Sequence, residues 1–74
     1  MSFRLGSLKP KELLRKLKKA GFQVDHTSGS HMILLNPATQ VRVVVPYHAK
    51  ELKRGLLFGI IKQSGLTIEE FQNL

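Results

Sequence analysis

The sequence contains no cysteine and no tryptophan, and only five acidic residues stand against twelve lysines and arginines in 74 residues. The lack of cysteine excludes disulfides and thiolate zinc sites, so apolar packing alone must hold the core. No stretch approaches the roughly 18 apolar residues that a membrane span needs, and residues 1–6 lack the apolar run of a signal peptide. We therefore expect a cytoplasmic protein that forms one domain over residues 1–74.

The excess of basic residues gives a formal net charge of +7 and makes a polyanion the expected partner. Nucleic acid fits this expectation because each phosphate that the protein neutralises releases condensed counterions. A membrane surface would instead favour a long amphipathic helix with bulky anchors, which the sequence does not provide. A second explanation stays open, in which the charge serves only to keep the protein soluble.

The first predicted helix begins at Pro10, which suits a first helical turn, and ends at Gly21, which suits a C-terminal cap. Its apolar residues recur at spacings of three and four, as expected for one buried face: Leu13, Leu14, Leu17 and Ala20. The opposite face is basic and is either a solvated surface or a binding surface: Lys11, Arg15, Lys18 and Lys19.

Three short strands are predicted to follow, because an alternating pattern and turn residues replace the helical spacing. In the first strand, Phe22, Val24 and His26 share one side. This pattern predicts a half-buried strand, with His26 packed at the edge of the sheet.

The second strand, residues 31–35, is apolar on both sides and stops at Asn36-Pro37, a strong turn signal. The third strand, residues 40–45, is rich in β-branched residues. Valines at alternating positions share one side of it, and the other side carries an arginine and a valine: Val41, Val43 and Val45, against Arg42 and Val44.

Two further helices complete the prediction. The apolar residues that predict the second helix are Leu52, Leu56, Ile60 and Ile61, with Gly65 closing it. Gly55 and Gly59 lie inside this helix, which favours close packing on the sheet or on a partner. Thr67 and Glu70 form a capping-box pattern that predicts a short third helix.

The predicted fold class is α+β, in the order α-β-β-β-α plus a short C-terminal helix. Each amphipathic element must bury its apolar side against another element, so a three-stranded antiparallel sheet with helices on one face is expected. This arrangement leaves the second face of the sheet free.

Three histidines are the side chains best suited to proton transfer near neutral pH. His31 follows a turn predicted at Ser28-Gly29 and stands at the start of the second strand, where a side chain is exposed beside backbone donors. It is either a general base or an ordinary surface histidine. Because its strand is apolar on both sides, the pattern does not indicate on which face of the sheet His31 lies. His48, in the loop after the third strand, contacts phosphate or bonds a helix N-terminus; the sequence favours neither.

No metal site is predicted, since the histidines lie on different elements and no carboxylates stand at ligand spacing. There is no Walker-type loop, no Gly-x-Ser-x-Gly and no catalytic cysteine. RNA permits an enzyme without metal or cofactor, because its own 2′-hydroxyl attacks the adjacent phosphate once a base removes the proton.

Two stretches of the sequence resemble the HicA, or YcfA-like, family of toxin ribonucleases. The first is LKKAGF at residues 17–22, leading to GSH at residues 29–31. The second is VPYH at residues 45–48, KELKRG at residues 50–55 and IIKQSGL at residues 60–66. The resemblance extends over nearly the whole chain.

This resemblance implies a fold like that of double-stranded RNA-binding domains, cleavage of mRNA, and neutralisation by a HicB-type antitoxin. The family's catalytic histidine maps onto His31. Met32 stands where many members have a second histidine and Leu56 where a threonine is frequent, so no second catalytic group is assigned.

We expect a set of polar and basic residues to contact RNA: Lys18, Lys19, Ser30, Arg42, His48 and Lys50. The free protein is expected to be a monomer. The main alternative is a noncatalytic RNA-binding module that uses the same surface. A DNA-binding regulator is a further alternative, although no helix-turn-helix spacing surrounds the second helix.

Overall fold

The computed structural model describes residues 6–74, which form three helices and three strands. In chain order these are α1 (Pro10–Lys19), β1 (Gln23–Ser28), β2 (His31–Asn36), β3 (Val41–Pro46), α2 (Arg54–Ser64) and α3 (Ile68–Gln72). This is the predicted α+β arrangement, and its antiparallel sheet has the order β1-β2-β3.

Helix α1 begins and ends as its sequence predicts. Pro10 occupies the first turn, where its missing N–H needs no partner, and Gly21 follows the helix with a φ of +104°. A side chain at Gly21 would be strained by this backbone and would also crowd Asn36, whose amide nitrogen lies 3.4 Å from an added Cβ. The helix can therefore turn directly into β1.

The core lies between the helices and one face of the sheet. Leu34 of β2 pairs with Val43 of β3, and both side chains are fully buried. Helices α1 and α2 both pack on β3. Arg42 and Val44 point to the other face and are exposed, which confirms the predicted division of β3 and the free face of the sheet.

Strand β1 corrects the sequence prediction, because all six of its residues are exposed. It is an edge strand, and its pairing with β2 is interrupted: Val24 pairs with Leu34, but His26 pairs with Ile33. One extra residue, Asp25, therefore bulges between them and reverses the alternation. The predictions of a half-buried strand and of a packed His26 are wrong for this reason.

Helix α2 also differs from its prediction in which residues form its buried face. Leu52 is buried but precedes the helix, where its backbone pairs with Leu8 through N···O distances of 3.1 and 2.6 Å. Because the helix begins only at Arg54, Leu57 turns into the core and Leu56 is 51% exposed. Gly65 ends the helix in a left-handed conformation, as predicted.

The two glycines inside α2 do not pack against the sheet. Gly55 and Gly59 are both exposed, and an added Cβ at either position would meet no atom within 4 Å. The prediction that they permit close packing on the sheet is wrong. They leave a shallow, bare surface on the outer side of the helix.

Helix α3 is held by the predicted capping box. The Thr67 hydroxyl accepts from the Glu70 backbone N–H at 3.0 Å, and the Glu70 carboxylate accepts from the Thr67 N–H at 2.8 Å. Phe71 then enters the core, with the Lys16 ammonium 5.0 Å from its ring centre. Across residues 6–74, no helix has the length and apolar character required to cross a membrane.

Candidate nucleic-acid interface

His31 opens β2 directly after the turn that joins β1 to β2. Gly29 has a φ of +59°, which glycine adopts readily, and the turn closes on the pair Ser28 and His31. His31 also pairs with Pro46 of β3. Since side chains opposite each other share a face and alternate along a strand, His31 lies with Ile33 on the free face. Its side chain is exposed and forms no hydrogen bond within the described part of the chain.

The segment that leaves β3 comes to the same end of the sheet. The Tyr47 N–H donates to the Ser30 carbonyl oxygen at 2.9 Å. The rings of Tyr47 and His48 meet edge to face with centres 5.6 Å apart. The fold thus brings Ser30, His31 and His48 close together, although they come from a turn, a strand and a loop.

A groove of about 430 Å³ separates α1 from the neighbouring edge of the sheet. Its lining combines basic and apolar side chains: Lys11, Glu12, Leu14, Arg15, Lys18, Val24, Met32 and Tyr47. Met32 directly follows His31, and Tyr47 follows the residue that pairs with His31. The groove thus lies on the helical side of the sheet, whereas the side chain of His31 lies on the free face.

The basic residues predicted to contact RNA do not form one surface. Lys18 lines the groove, and Lys19 is exposed at the end of α1, both on the helical side of the sheet. Arg42 lies on the opposite, free face, and Lys50 is exposed in the loop between β3 and α2. A single strand of nucleic acid would have to pass around the end of the sheet to meet both groups.

The free face carries a polar cluster that the sequence reading did not assign. Asp25 Oδ2 lies 2.7 Å from His26 Nδ1 and 2.9 Å from the Arg42 guanidinium. The hydrogen bond from His26 and that from Arg42 hold the pKa of Asp25 below its ordinary value. The cluster spans the sheet from β1 to β3 above the central strand.

Two features of this region could not be located from the sequence. The bulge at Asp25 depends on the pairing of two distant segments, so the simple alternation placed His26 on the wrong face. Tyr47 reaches the groove only because its backbone bonds Ser30. The neighbouring acid and base at residues 25 and 26 were the one local signal of the polar cluster.

The side chains available for chemistry are imidazoles and cations. Among residues 6–74, no group of three or more histidine, aspartate or glutamate side chains stands close enough to hold a metal ion. An exposed imidazole such as that of His31 can remove a proton from a bound ligand, provided that the ligand places it within hydrogen-bond reach.

Comparison with known proteins gives a family-level match. The model of the family described as the HicA toxin of bacterial toxin-antitoxin systems matches residues 10–66, which is most of the chain. No curated protein matches the chain. The matched range runs from α1 to just beyond α2 and contains His31, the groove and the polar cluster of the free face.

Proposed function

The chain belongs to the HicA toxins of bacterial toxin-antitoxin systems, and from this premise we propose that it is an endoribonuclease that cleaves mRNA and so blocks translation. The observation that carries the proposal is the position of His31. It is an exposed imidazole without a partner among residues 6–74, it lies on the free face of the sheet, and it belongs to the Gly29-Ser30-His31 motif.

In the proposed reaction, His31 acts as the general base. It removes the proton from a ribose 2′-hydroxyl, and the 2′-oxygen then attacks the adjacent phosphorus. The bond from phosphorus to the 5′-oxygen breaks and that oxygen takes up a proton, which leaves a 2′,3′-cyclic phosphate and a 5′-hydroxyl end. The reaction consumes no cofactor and is proposed to need no metal ion.

Binding of the RNA is assigned to the basic residues and to the polar groups at the end of the sheet. Within the described residues Lys18 and Lys19 form no ion pair, so their charges are available to phosphate. Ser30, His48 and Lys50 extend this surface beyond the turn. Arg42 shares its charge with Asp25 and is the weakest member of the set.

The decisive experiment compares the purified wild type with His31→Ala on a defined mRNA. We expect the variant to bind RNA but to cleave it about 10²- to 10⁴-fold more slowly, the usual contribution of a general base. Gln23→Ala, an exposed residue at the far end of β1, is the matched control and should cleave normally. Circular dichroism establishes that all three proteins are folded.

Several outcomes would contradict the proposal. Normal cleavage by folded His31→Ala would remove the assigned base. If the wild type binds the RNA without cleaving it, the protein is a noncatalytic RNA-binding module. If the wild type binds duplex DNA more tightly than RNA and cleaves neither, the protein is a DNA-binding regulator.

Two further measurements bear on the same proposal. Cleavage should survive excess chelator, and a loss that a divalent ion restores would contradict the metal-independent mechanism. RNA affinity should also fall steeply with salt, because several phosphates are contacted. A flat salt response would mean that the positive charge serves only solubility.

We assign to a HicB-type antitoxin the role of covering His31 and the basic surface. A net charge of +7 steers an acidic partner to the protein quickly, but a lasting complex also needs apolar anchors. The free face supplies them at Ile33, Leu35 and Val44, of which Val44 is 43% exposed. The bare surface at Gly55 and Gly59 of α2 is a second place for close approach.

The antitoxin assignment is tested by co-expression with the neighbouring reading frame. The complex should suppress RNA cleavage and protect His31 from diethyl pyrocarbonate, whereas the free toxin, expected to be a monomer by light scattering, should be modified. A stable complex that cleaves RNA at the free rate, or that leaves His31 reactive, would contradict occlusion.

A further inference from the structure

The free face of the sheet carries a second histidine beside His31. The bulge at Asp25 shifts the pairing of β1, so that His26 stands opposite Ile33 and Ser28 stands opposite His31. Since opposite residues share a face, His26 lies on the same face as His31. Without the bulge, His26 would point toward the helices.

The spacing of the two histidines suits one phosphodiester. His26 and His31 are diagonal neighbours on adjacent antiparallel strands, for which Cα atoms are about 7–8 Å apart. Each imidazole needs a heavy-atom distance of about 2.6–3.2 Å to the oxygen with which it exchanges a proton. Two imidazoles carried on Cα atoms at this spacing can both contact one phosphodiester.

The ring of His26 is held in a defined orientation. Its Nδ1 lies 2.7 Å from the Asp25 carboxylate, which leaves Nε2 as the nitrogen that can contact a substrate. The side chain of His26 is 57% exposed, so a ligand can reach it. His31, in contrast, forms no hydrogen bond within residues 6–74.

The Arg42 guanidinium completes the cluster from β3. Alone, the carboxylate of Asp25 would repel an RNA phosphate on the same face. Arg42 donates to the same carboxylate oxygen at 2.9 Å, so its guanidinium offsets this negative charge. Asp25 can then orient His26 without making the face unfavourable for phosphate.

We propose that His26 is the second catalytic residue of this protein, the general acid that acts opposite His31. The inference rests on the proposed ribonuclease function. His31 takes the 2′-hydroxyl proton as the bond from the 2′-oxygen to phosphorus forms. His26 Nε2–H gives its proton to the 5′-oxygen as the bond from that oxygen to phosphorus breaks. The leaving group departs as a neutral 5′-hydroxyl, and the two histidines end with their protonation states exchanged.

The competing explanation is that the cluster is a surface ion pair. Exposed pairs of this kind contribute little to stability. Removal of His26 would then change neither the fold nor the cleavage rate. The two explanations therefore predict different cleavage rates for a protein that lacks the His26 imidazole.

The test uses a short RNA whose cleavage site has been mapped with the wild type, and a second RNA in which sulfur replaces the bridging 5′-oxygen at that site. A thiol is far more acidic than an alcohol, so a sulfur leaving group departs without a general acid. We expect His26→Ala to be slowed about 10²- to 10⁴-fold on the oxygen substrate and to approach the wild-type rate on the sulfur substrate. His31→Ala should be slow on both.

Two more variants sharpen the assignment. Thr27→Ala alters the neighbouring exposed residue, which lies on the other face, and should cleave both substrates normally. Asp25→Asn removes the charge that orients His26, so it should slow cleavage of the oxygen substrate more than that of the sulfur substrate. Circular dichroism verifies that each variant is folded.

The outcomes separate this inference from the function on which it rests. If His26→Ala cleaves the oxygen substrate at the wild-type rate while His31→Ala is inactive, His26 has no catalytic role and the ribonuclease assignment stands. If His26→Ala is slowed equally on both substrates, it acts in binding or structure and the general-acid role is overturned. If the wild type cleaves neither RNA, the proposed function fails and this inference fails with it.

Discussion

The assignment of His31 to the free face can be tested through protein stability, because each residue of β2 belongs to one face or the other. Leu34 is fully buried, whereas the adjacent Ile33 is only half-buried on the face that carries His31. Replacement of either residue by alanine removes three carbons. Leu34→Ala leaves a cavity in the core and should lower the free energy of unfolding by about 2–5 kcal/mol.

Ile33→Ala should lower the free energy of unfolding by less, about 1–2 kcal/mol, since three partly buried carbons at about 0.8 kcal/mol each give at most about 2.4 kcal/mol and water can fill the space left behind. A 74-residue domain has a total stability of about 4–11 kcal/mol, so Leu34→Ala alone removes a large part of it. Urea unfolding followed by far-ultraviolet circular dichroism measures both variants. Because a slip of one residue exchanges the two faces, equal losses, or a larger loss for Ile33→Ala, would refute the assigned position of His31.

Three further predictions concern the cap of α3, the turn after α1 and the polar cluster of the free face. Thr67→Ala should lower the free energy of unfolding by about 0.5–2 kcal/mol through loss of the α3 cap, and no change on urea unfolding would contradict the observed capping box. Gly21→Ala should destabilise the protein by about 1–2 kcal/mol because of its positive φ, whereas a stabilised variant in thermal unfolding would mean that the backbone there is relaxed. The pKa of Asp25 is depressed in the folded state, so its stabilising contribution is present above the ordinary pKa and is lost as pH falls through the folded-state pKa. In Arg42→Gln, the carboxyl chemical shifts should show the pKa of Asp25 rising toward its ordinary value. An unchanged pKa would mean that the Arg42 guanidinium does not act on Asp25.

The fold was predictable where local spacing and burial agree. Pro10 and Gly21 bound α1, the alternating valines of β3 enter the core, and Thr67 with Glu70 caps α3. Each of these signals lies within a few residues of the feature that it predicts. The α+β class follows from them, because each amphipathic element must bury its apolar side against another element.

The errors arose where pairing between distant segments overrides the local pattern. The bulge at Asp25 reverses the alternation of β1, and no residue in that strand marks it by type. The backbone pair of Leu8 and Leu52 holds the chain extended before α2, which delays the helix start and moves Leu56 outward. Both effects depend on contacts that spacing along one segment does not contain.

The candidate site was only partly predictable for the same reason. The Gly29-Ser30-His31 motif identified the candidate histidine, whereas the turn predicted at Ser28-Gly29 lies one residue later, at Gly29-Ser30. The gathering of Tyr47 and His48 beside Ser30, and of His26 and Arg42 around Asp25, requires three strands in register. Sequence reasoning therefore selected the residue types but could not divide the basic residues between the two sides of the sheet.

The exposed edge strand also has a consequence for local stability. β1 is joined to the sheet along one side only and buries no side chain, whereas β2 is bonded on both sides and carries Leu34 into the core. Segments with few buried apolar contacts open at a smaller free-energy cost than the core does. Amide hydrogens of β1 should therefore exchange faster than those of β2. The free face is thus built from two strands of unequal stability, with His31 on the one that stays closed and His26 on the one that opens without unfolding the protein.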